Sequence, residues 1–195
     1  MGARAYTLFE DEDFQPSPEG IVVEIGADRG EGSTAWLQKW AHAHGLPFRS
    51  ADVDPAIISR LPAPVRKDAR NVDGETMLRR LRRPVTAAYL DGFDFIPAGE
   101  EDERWIRRQR NRYARLGLTL DNQTCGRVHL EEAHLVVERA ASSCRIILDD
   151  TWHDGKDWQG KGALAVPYLL ISGFTLVEWG EPHESSLGYA VMQRD

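Results

Sequence analysis

The chain has two cysteines, Cys125 and Cys144, in 195 residues. Two thiols at that separation make neither a disulfide framework nor a cysteine metal site, so a reducing, cytoplasmic compartment is expected. Cys144 opens an apolar run and reads as a small core residue. Long apolar stretches are missing too. None approaches the roughly 20 residues of a membrane-spanning helix, and no membrane partner is expected. The acidic start, Glu10-Asp11-Glu12-Asp13, lacks the basic and then apolar pattern of a secretory signal. Positive charge is in deficit: 24 Lys and Arg against 31 Asp and Glu leave a net charge of -7. That balance disfavours an extended nucleic-acid groove. Internal repeats and low-complexity tracts are absent, and the length suits one domain over residues 1–195 with a substantial core.

What is present is alternation. Residues 1–19 read as a peripheral lead-in ending at Pro16-Ser17-Pro18. Ile21–Ala27 then reads as a strand, and Ser33 as the cap of a helix reaching about His44 and closed by Gly45. Strands are expected at Phe48–Val53, Val65–Lys67, Val85–Leu90 and Arg145–Leu148. Helices are expected at Pro55–Leu61, Val72–Leu81, Val128–Ser142 and Ala163–Ser172. Phe174–Trp179 and Tyr189–Gln193 read as a closing antiparallel hairpin. Apolar strands alternating with helices predict an α/β, doubly wound, mostly parallel sheet.

The richest segment is Val22-Val23-Glu24-Ile25-Gly26-Ala27-Asp28-Arg29-Gly30-Glu31-Gly32-Ser33-Thr34. An apolar strand ends at an acid, glycines follow closely, and a helix begins, as where a backbone turns tightly beside a ligand. About twenty residues on, the next strand ends in Asp52-Val53-Asp54, where a carboxylate can take both hydroxyls of a ribose. The pair predicts a nucleotide-containing cofactor. Its spacing, E-x-G-x-x-x-G-x-G, differs from the G-x-G-x-x-G that packs a pyrophosphate, and an acid at the strand end suits a cation.

That loop resembles the cofactor loop of class I S-adenosylmethionine (AdoMet) methyltransferases, V-E-I-G-x-x-x-G-x-[ST]. The resemblance implies a seven-stranded Rossmann-like sheet with a final hairpin. It also implies AdoMet held by Glu24, Gly26, Ala27, Gly30, Ser33, Asp52, Val53, Asp68, Ala69 and Asp91. Glu24 and Gly26 would line the amino-acid tail, Asp52 the ribose, and Asp68-Ala69 the adenine edge.

Three further acids close strands: Asp91 in Leu90-Asp91-Gly92, and the pair Asp149-Asp150 before Thr151. Parallel strands deliver their C-terminal ends to one rim, and carboxylates at that density suit Mg²⁺. These segments are similar to those of metal-dependent O-methyltransferases of the catechol type, and to relatives near cephalosporin hydroxylase and the macrolide sugar O-methyltransferases. The resemblance runs from about Ile21 to Gln193 and is weakest across residues 92–128. It implies a divalent ion on Asp91, Asp149 and Asp150 that assists O-methylation of a small molecule in specialised metabolism. Where such relatives carry a histidine directly after D-G-D, this chain has Phe93 and an insertion, leaving His129, and after it His153, as candidate catalytic bases. His134 reads as structural. The alternatives are a metal-independent N-methyltransferase, a non-catalytic AdoMet-binding accessory subunit and, against the net charge, an RNA methyltransferase. The expected partner is a small-molecule methyl acceptor, with a homodimer allowed.

The insertion at residues 92–128 holds six arginines between Arg104 and Arg115, after an acidic start. Helical spacing puts Arg104, Arg108, Arg112 and Arg115 on one stripe, and Trp105 with Tyr113 on another. It reads as a lid-like helix over the acceptor pocket, with one or two arginines toward a carboxylate or phosphate of the substrate.

Overall fold

A computed structural model describes residues 5–27, 32–99, 103–182 and 187–195. Strands β1 (Ile21–Ile25), β2 (Phe48–Ala51), β3 (Ala69–Arg70), β4 (Val85–Leu90), β5 (Ala140–Asp149), β8 (Thr175–Gly180) and β9 (Tyr189–Arg194) make one sheet in the order β3-β2-β1-β4-β5-β9-β8. The first five run parallel; β9 lies antiparallel to both its neighbours. Two short strands, β6 (Thr151–His153) and β7 (Trp158–Gly160), form a separate hairpin above the end of β5. The central strands IVVEI and VTAAYL are buried at every position, because helices cover both faces of a parallel sheet.

Helices α1 (Ser33–Ala43), α2 (Pro55–Arg60), α3 (Ala63–Arg66), α4 (Gly74–Arg79), α5 (Arg104–Arg115), α6 (Asn122–Glu138) and α7 (Ala165–Ile171) connect them. Asp54 caps α2, with Pro55 in its first turn; Asp73 caps α4; Asp121 caps α6 by accepting from the Thr124 amide.

Several boundaries differ from the sequence reading, each for a local reason. Val65 belongs to α3, not to a strand, because Pro64 sits in its first turn where proline is favoured; the third strand is delayed to Ala69. The Asp121 cap starts α6 at Asn122 instead of Val128, so that helix ends at Glu138 and frees Ala140 to open β5. Ser33 does not cap α1: Gly32 occupies the cap position, and the Ser33 hydroxyl is used elsewhere. The lead-in is anchored to the body through Tyr6, Phe9, Phe14 and Ser17, with Glu10–Asp13 exposed. Tyr6, Phe9 and Phe14 join Leu37, Trp40 and Phe48 in one apolar cluster. The buried Arg145 guanidinium ties them down, donating to the Leu8 carbonyl at 2.7 Å and the Asp11 carboxylate at 3.0 Å under the Phe14 ring.

Register sets the functional rim. Ile25 lies opposite Ala51 and Leu90, and Leu90 opposite Leu148. Gly26, Asp52, Asp91 and Asp149 therefore follow, or end, four neighbouring strands at one edge. The chain leaves β1 first toward β2 and later toward β4. This edge is thus the topological switch point, where open α/β sheets bind ligands.

Candidate functional site

A cavity of about 190 Å³ opens at the switch point. Gly26, Asp52, Val53, Asp73, Gly92 and Phe93 line it, with Tyr113 of α5 and Glu132 of α6. Drug-sized sites span roughly 300–1,000 Å³, so this space suits a nucleoside portion more than a whole cofactor. Gly26 has φ +88° and donates its amide to the Ala51 carbonyl at 2.8 Å; a Cβ there would collide with the Asp91 carbonyl. Only glycine permits so tight a turn between β1 and the β4 end. Asp52 is 6% exposed, and its Oδ1 accepts from the Asp54 amide at 2.7 Å.

The other expected cofactor residues are placed differently. Gly30 lies outside the described residues. Glu24 is fully buried, and both its oxygens are taken: Ser33 Oγ donates to Oε1 at 2.7 Å and Ser50 Oγ to Oε2 at 2.6 Å. It clamps α1 and β2 onto β1. Asp68 precedes β3, on the rim opposite the pocket, where it accepts from Gln38 at 2.7 Å and Arg49 at 3.1 Å. Ala69 is buried with Ala27, Ile57 and Leu61. The late start of β3 moves its pocket-facing end to Asn71–Gly74, and Asp73, not Asp68, lines the cavity.

Asp91 and Asp150 do converge, but on an ammonium, with Asp149 beside them. Lys161 is 2% exposed; its Nζ bonds Asp91 Oδ1 closely and Asp150 Oδ2 at 2.9 Å. Tyr89 donates its hydroxyl to Asp149 Oδ2 at 2.5 Å. Burial works against the lysine charge, but Asp150, Asp91 and Asp149 outweigh it and hold its pKa well above the ordinary value. Burial also raises the Asp149 carboxyl, and Asp150 beside it adds to the rise. The hairpin explains the geometry. Thr151 pairs with Gly160, so the next residue, Lys161, falls opposite Asp150 and donates its amide to the Asp150 carbonyl at 2.9 Å. Asp150 itself has φ +47°, a left-handed conformation that Asp adopts at some cost and that the ion pair holds in place. Among the described residues no group of three His, Cys, Asp or Glu is arranged to hold a metal. The expected Mg²⁺ site does not fit this donor set, because a fixed internal cation already occupies its centre.

The candidate bases also move. His129 is 0% exposed on the inner face of α6; burial, with Lys161 adding, lowers its pKa to about 3. It is neutral and out of reach of an acceptor. Its Nδ1 lies 3.8 Å from Glu132 Oε2, the Phe93 backbone approaches the ring, and among the described residues neither ring nitrogen nor that oxygen has a well-formed hydrogen bond. Burial lifts the Glu132 carboxyl to about 8. Glu132 lies under Gly74 and Gly92, where a Cβ on Gly74 would strike it. His153 sits in β6, edge-on to Trp158, with Nδ1 accepting from the Gly155 amide at 3.2 Å. Lys161, Glu132 and Asp73 were missed from the sequence. Asp73 alone had a visible signal, as a helix cap following a strand.

The insertion forms the arginine helix α5. Ile106 and Tyr113 are its buried residues, and the Tyr113 hydroxyl accepts from the Asp94 amide at 2.8 Å. Trp105 is half-buried against the same cluster. Arg112 reaches across to α2: its Nε bonds Asp54 Oδ2 at 2.6 Å, and its Nη2 stands 3.9 Å from Asp52 Oδ1. Burial raises the Asp54 carboxyl, but Arg112 and the Ala56 amide together lower it below the ordinary value.

No protein-family model and no curated protein sequence matches the chain. Solved structures do. SMU.1697c of Streptococcus mutans, solved with S-adenosylhomocysteine (SAH), matches at 12% identity and TM-score 0.51, covering 91% of this chain and 90% of that one. An rRNA methylase from Streptococcus thermophilus matches at 17% identity and TM-score 0.52, covering 92% and 89%. The N-methyltransferase NodS from Bradyrhizobium japonicum, also with SAH, matches at 12% identity and TM-score 0.50, covering 90% and 78%. At these identities the shared property is architecture: the chain has the Rossmann-like, seven-stranded fold of the class I AdoMet-dependent methyltransferases.

Proposed function

We propose that the chain is an AdoMet-dependent methyltransferase of a small molecule that works without a divalent ion. The observation that carries the reading is the cavity where the Gly26 turn ending β1 faces Asp52-Val53 ending β2. When bound there, AdoMet supplies an electrophilic methyl group on its sulfonium. Asp52 accepts hydrogen bonds from the ribose hydroxyls, and Gly26 lets the backbone come close. Val53 and Phe93 offer apolar surface to the base. Two structures of the same fold were solved with SAH, which supports this choice of ligand.

Lys161 supports the metal-free reading, because it neutralises charge where a divalent ion would sit. It holds Asp91 Oδ1 and Asp150 Oδ2, leaving the second oxygen of each carboxylate to accept from an O–H or N–H of the acceptor. An acceptor positioned in this way loses its translational freedom before transfer, which supplies much of the rate.

Calorimetric titration with SAH tests the reading. Asp52→Ala removes a charge-assisted bond to two hydroxyls and should weaken binding by about 1.5–3 kcal/mol. Binding of NAD but not SAH by the wild-type protein would overturn it.

A further inference from the structure

We propose that the groove between α2 and α5 is a second binding site, one that takes the phosphate group of a small phosphorylated compound. The groove encloses about 640 Å³. Arg60 lines it from α2, and Arg108, Arg112 and Arg115 from α5; spacings of four and three put the last three on one helix face. Ile57, Leu61 and Leu116 supply an apolar floor.

The charges need an explanation. Four guanidinium groups around one concavity repel each other, and with a net charge of -7 the chain has acids to spare. Yet among the described residues one carboxylate, Asp54, is in hydrogen-bond contact with any of the four, and its partner is Arg112. Asp54 lines the groove and its charge also faces Arg60 at longer range, but Arg60, Arg108 and Arg115 are exposed and none is in contact with a described carboxylate. A dianion bound among them would remove the repulsion. Phosphate matches the planar guanidinium fork, two parallel bonds per group, and the apolar floor suits an organic body attached to it. A nucleic-acid backbone fits less well, because it needs positive charge spread along an extended surface.

The groove and the cofactor cavity share a wall: Tyr113 of α5 faces the cavity, and Arg112 one position before it faces the groove. The inference stands without the cofactor reading, since it rests on the other side of that wall.

Phenyl phosphate, titrated calorimetrically into the full chain at low ionic strength, is the probe. The wild-type protein should bind it, and Arg108→Ala/Arg115→Ala should weaken binding at least about tenfold, the loss of two charge-assisted contacts. Arg82→Ala/Arg83→Ala removes the same charge at exposed positions on the opposite rim and should leave binding unchanged. Thermal melts of both variants, whose changed side chains are exposed, confirm that they fold. Equal weakening by the two pairs would reduce the effect to net charge and overturn the site, as would no binding by the wild type at millimolar concentration. Tighter binding of a short single-stranded oligouridylate, lost in Arg108→Ala/Arg115→Ala, would assign the groove to nucleic acid and overturn the small-molecule assignment.

Discussion

Lys161→Met should cost about 3–5 kcal/mol of folding stability, the loss typical when one partner of a buried ion pair is removed. Methionine roughly keeps the volume of the side chain, so lost packing contributes little. What changes is that Asp91, Asp149 and Asp150 then share a rim with no internal cation, while Tyr89 satisfies one oxygen. Denaturant melts at neutral pH measure the loss. Divalent ions sharpen the test. Mg²⁺ and EDTA should leave the wild-type midpoint unchanged, because the ammonium holds the centre of the cluster. In Lys161→Met, millimolar Mg²⁺ should recover at most the diffuse screening any divalent salt provides, since the carboxylates are not arranged to hold an ion together. A wild-type midpoint that rises with Mg²⁺ would restore the metal site that the strand-end acids first suggested. A loss below about 1 kcal/mol would place the pair among surface ion pairs.

That cluster shows what could be read from the sequence and what could not. Strand ends carry a strong signal, because an apolar run breaks at a polar residue. Asp52, Asp91 and Asp149 all fall at the expected rim, and the sheet follows from the same alternation. Lys161 carried no signal. It comes from a stretch rich in glycine, lysine and aspartate that reads as an irregular loop, and only the Thr151–Gly160 pairing brings it opposite Asp150. Side-chain partners were equally hidden. Ser33 read as a helix cap and Glu24 as a ligand, yet they bond each other across a turn. Asp68 is displaced by register: the expected strand Val65–Lys67 lies in and after α3, and β3 begins only at Ala69, so Asp68 precedes the strand instead of closing it. His129 failed through phase, because Asp121 starts α6 a turn and a half earlier than the apolar pattern suggested, and its inner face carries the histidine into the core.

Glu132→Gln should make the protein more stable as pH rises, relative to wild type, the reverse of the usual outcome for a core substitution. The Glu132 carboxyl has a folded pKa of about 8 against an ordinary 4.5, chiefly because burial disfavours its charge. Between those values the folded chain keeps a proton that the unfolded chain has lost. Stability from this group is therefore complete below pH 4.5 and falls as pH rises, by about 1.4 kcal/mol per unit, until pH 8. His129 works in the opposite sense. Its pKa falls from 6.5 to about 3, so between those values the unfolded chain binds the extra proton and stability rises with pH. From pH 4.5 to 6.5 the two slopes cancel, and above 6.5 the glutamate acts alone. Glutamine keeps the shape and cannot ionise. The stability difference between Glu132→Gln and wild type should thus open at pH 4.5 and grow at about 1.4 kcal/mol per unit up to pH 8. Urea midpoints at half-unit intervals would measure it, and a difference that stays constant over this range would show that the carboxyl ionises normally. Among the described residues Glu132 Oε2 has no hydrogen-bond partner, and Glu132 lines the cavity proposed for the cofactor. Under that proposed function, SAH titrations of Glu132→Gln and wild type should agree at pH 6.5 and differ above pH 8, where the wild-type carboxyl ionises.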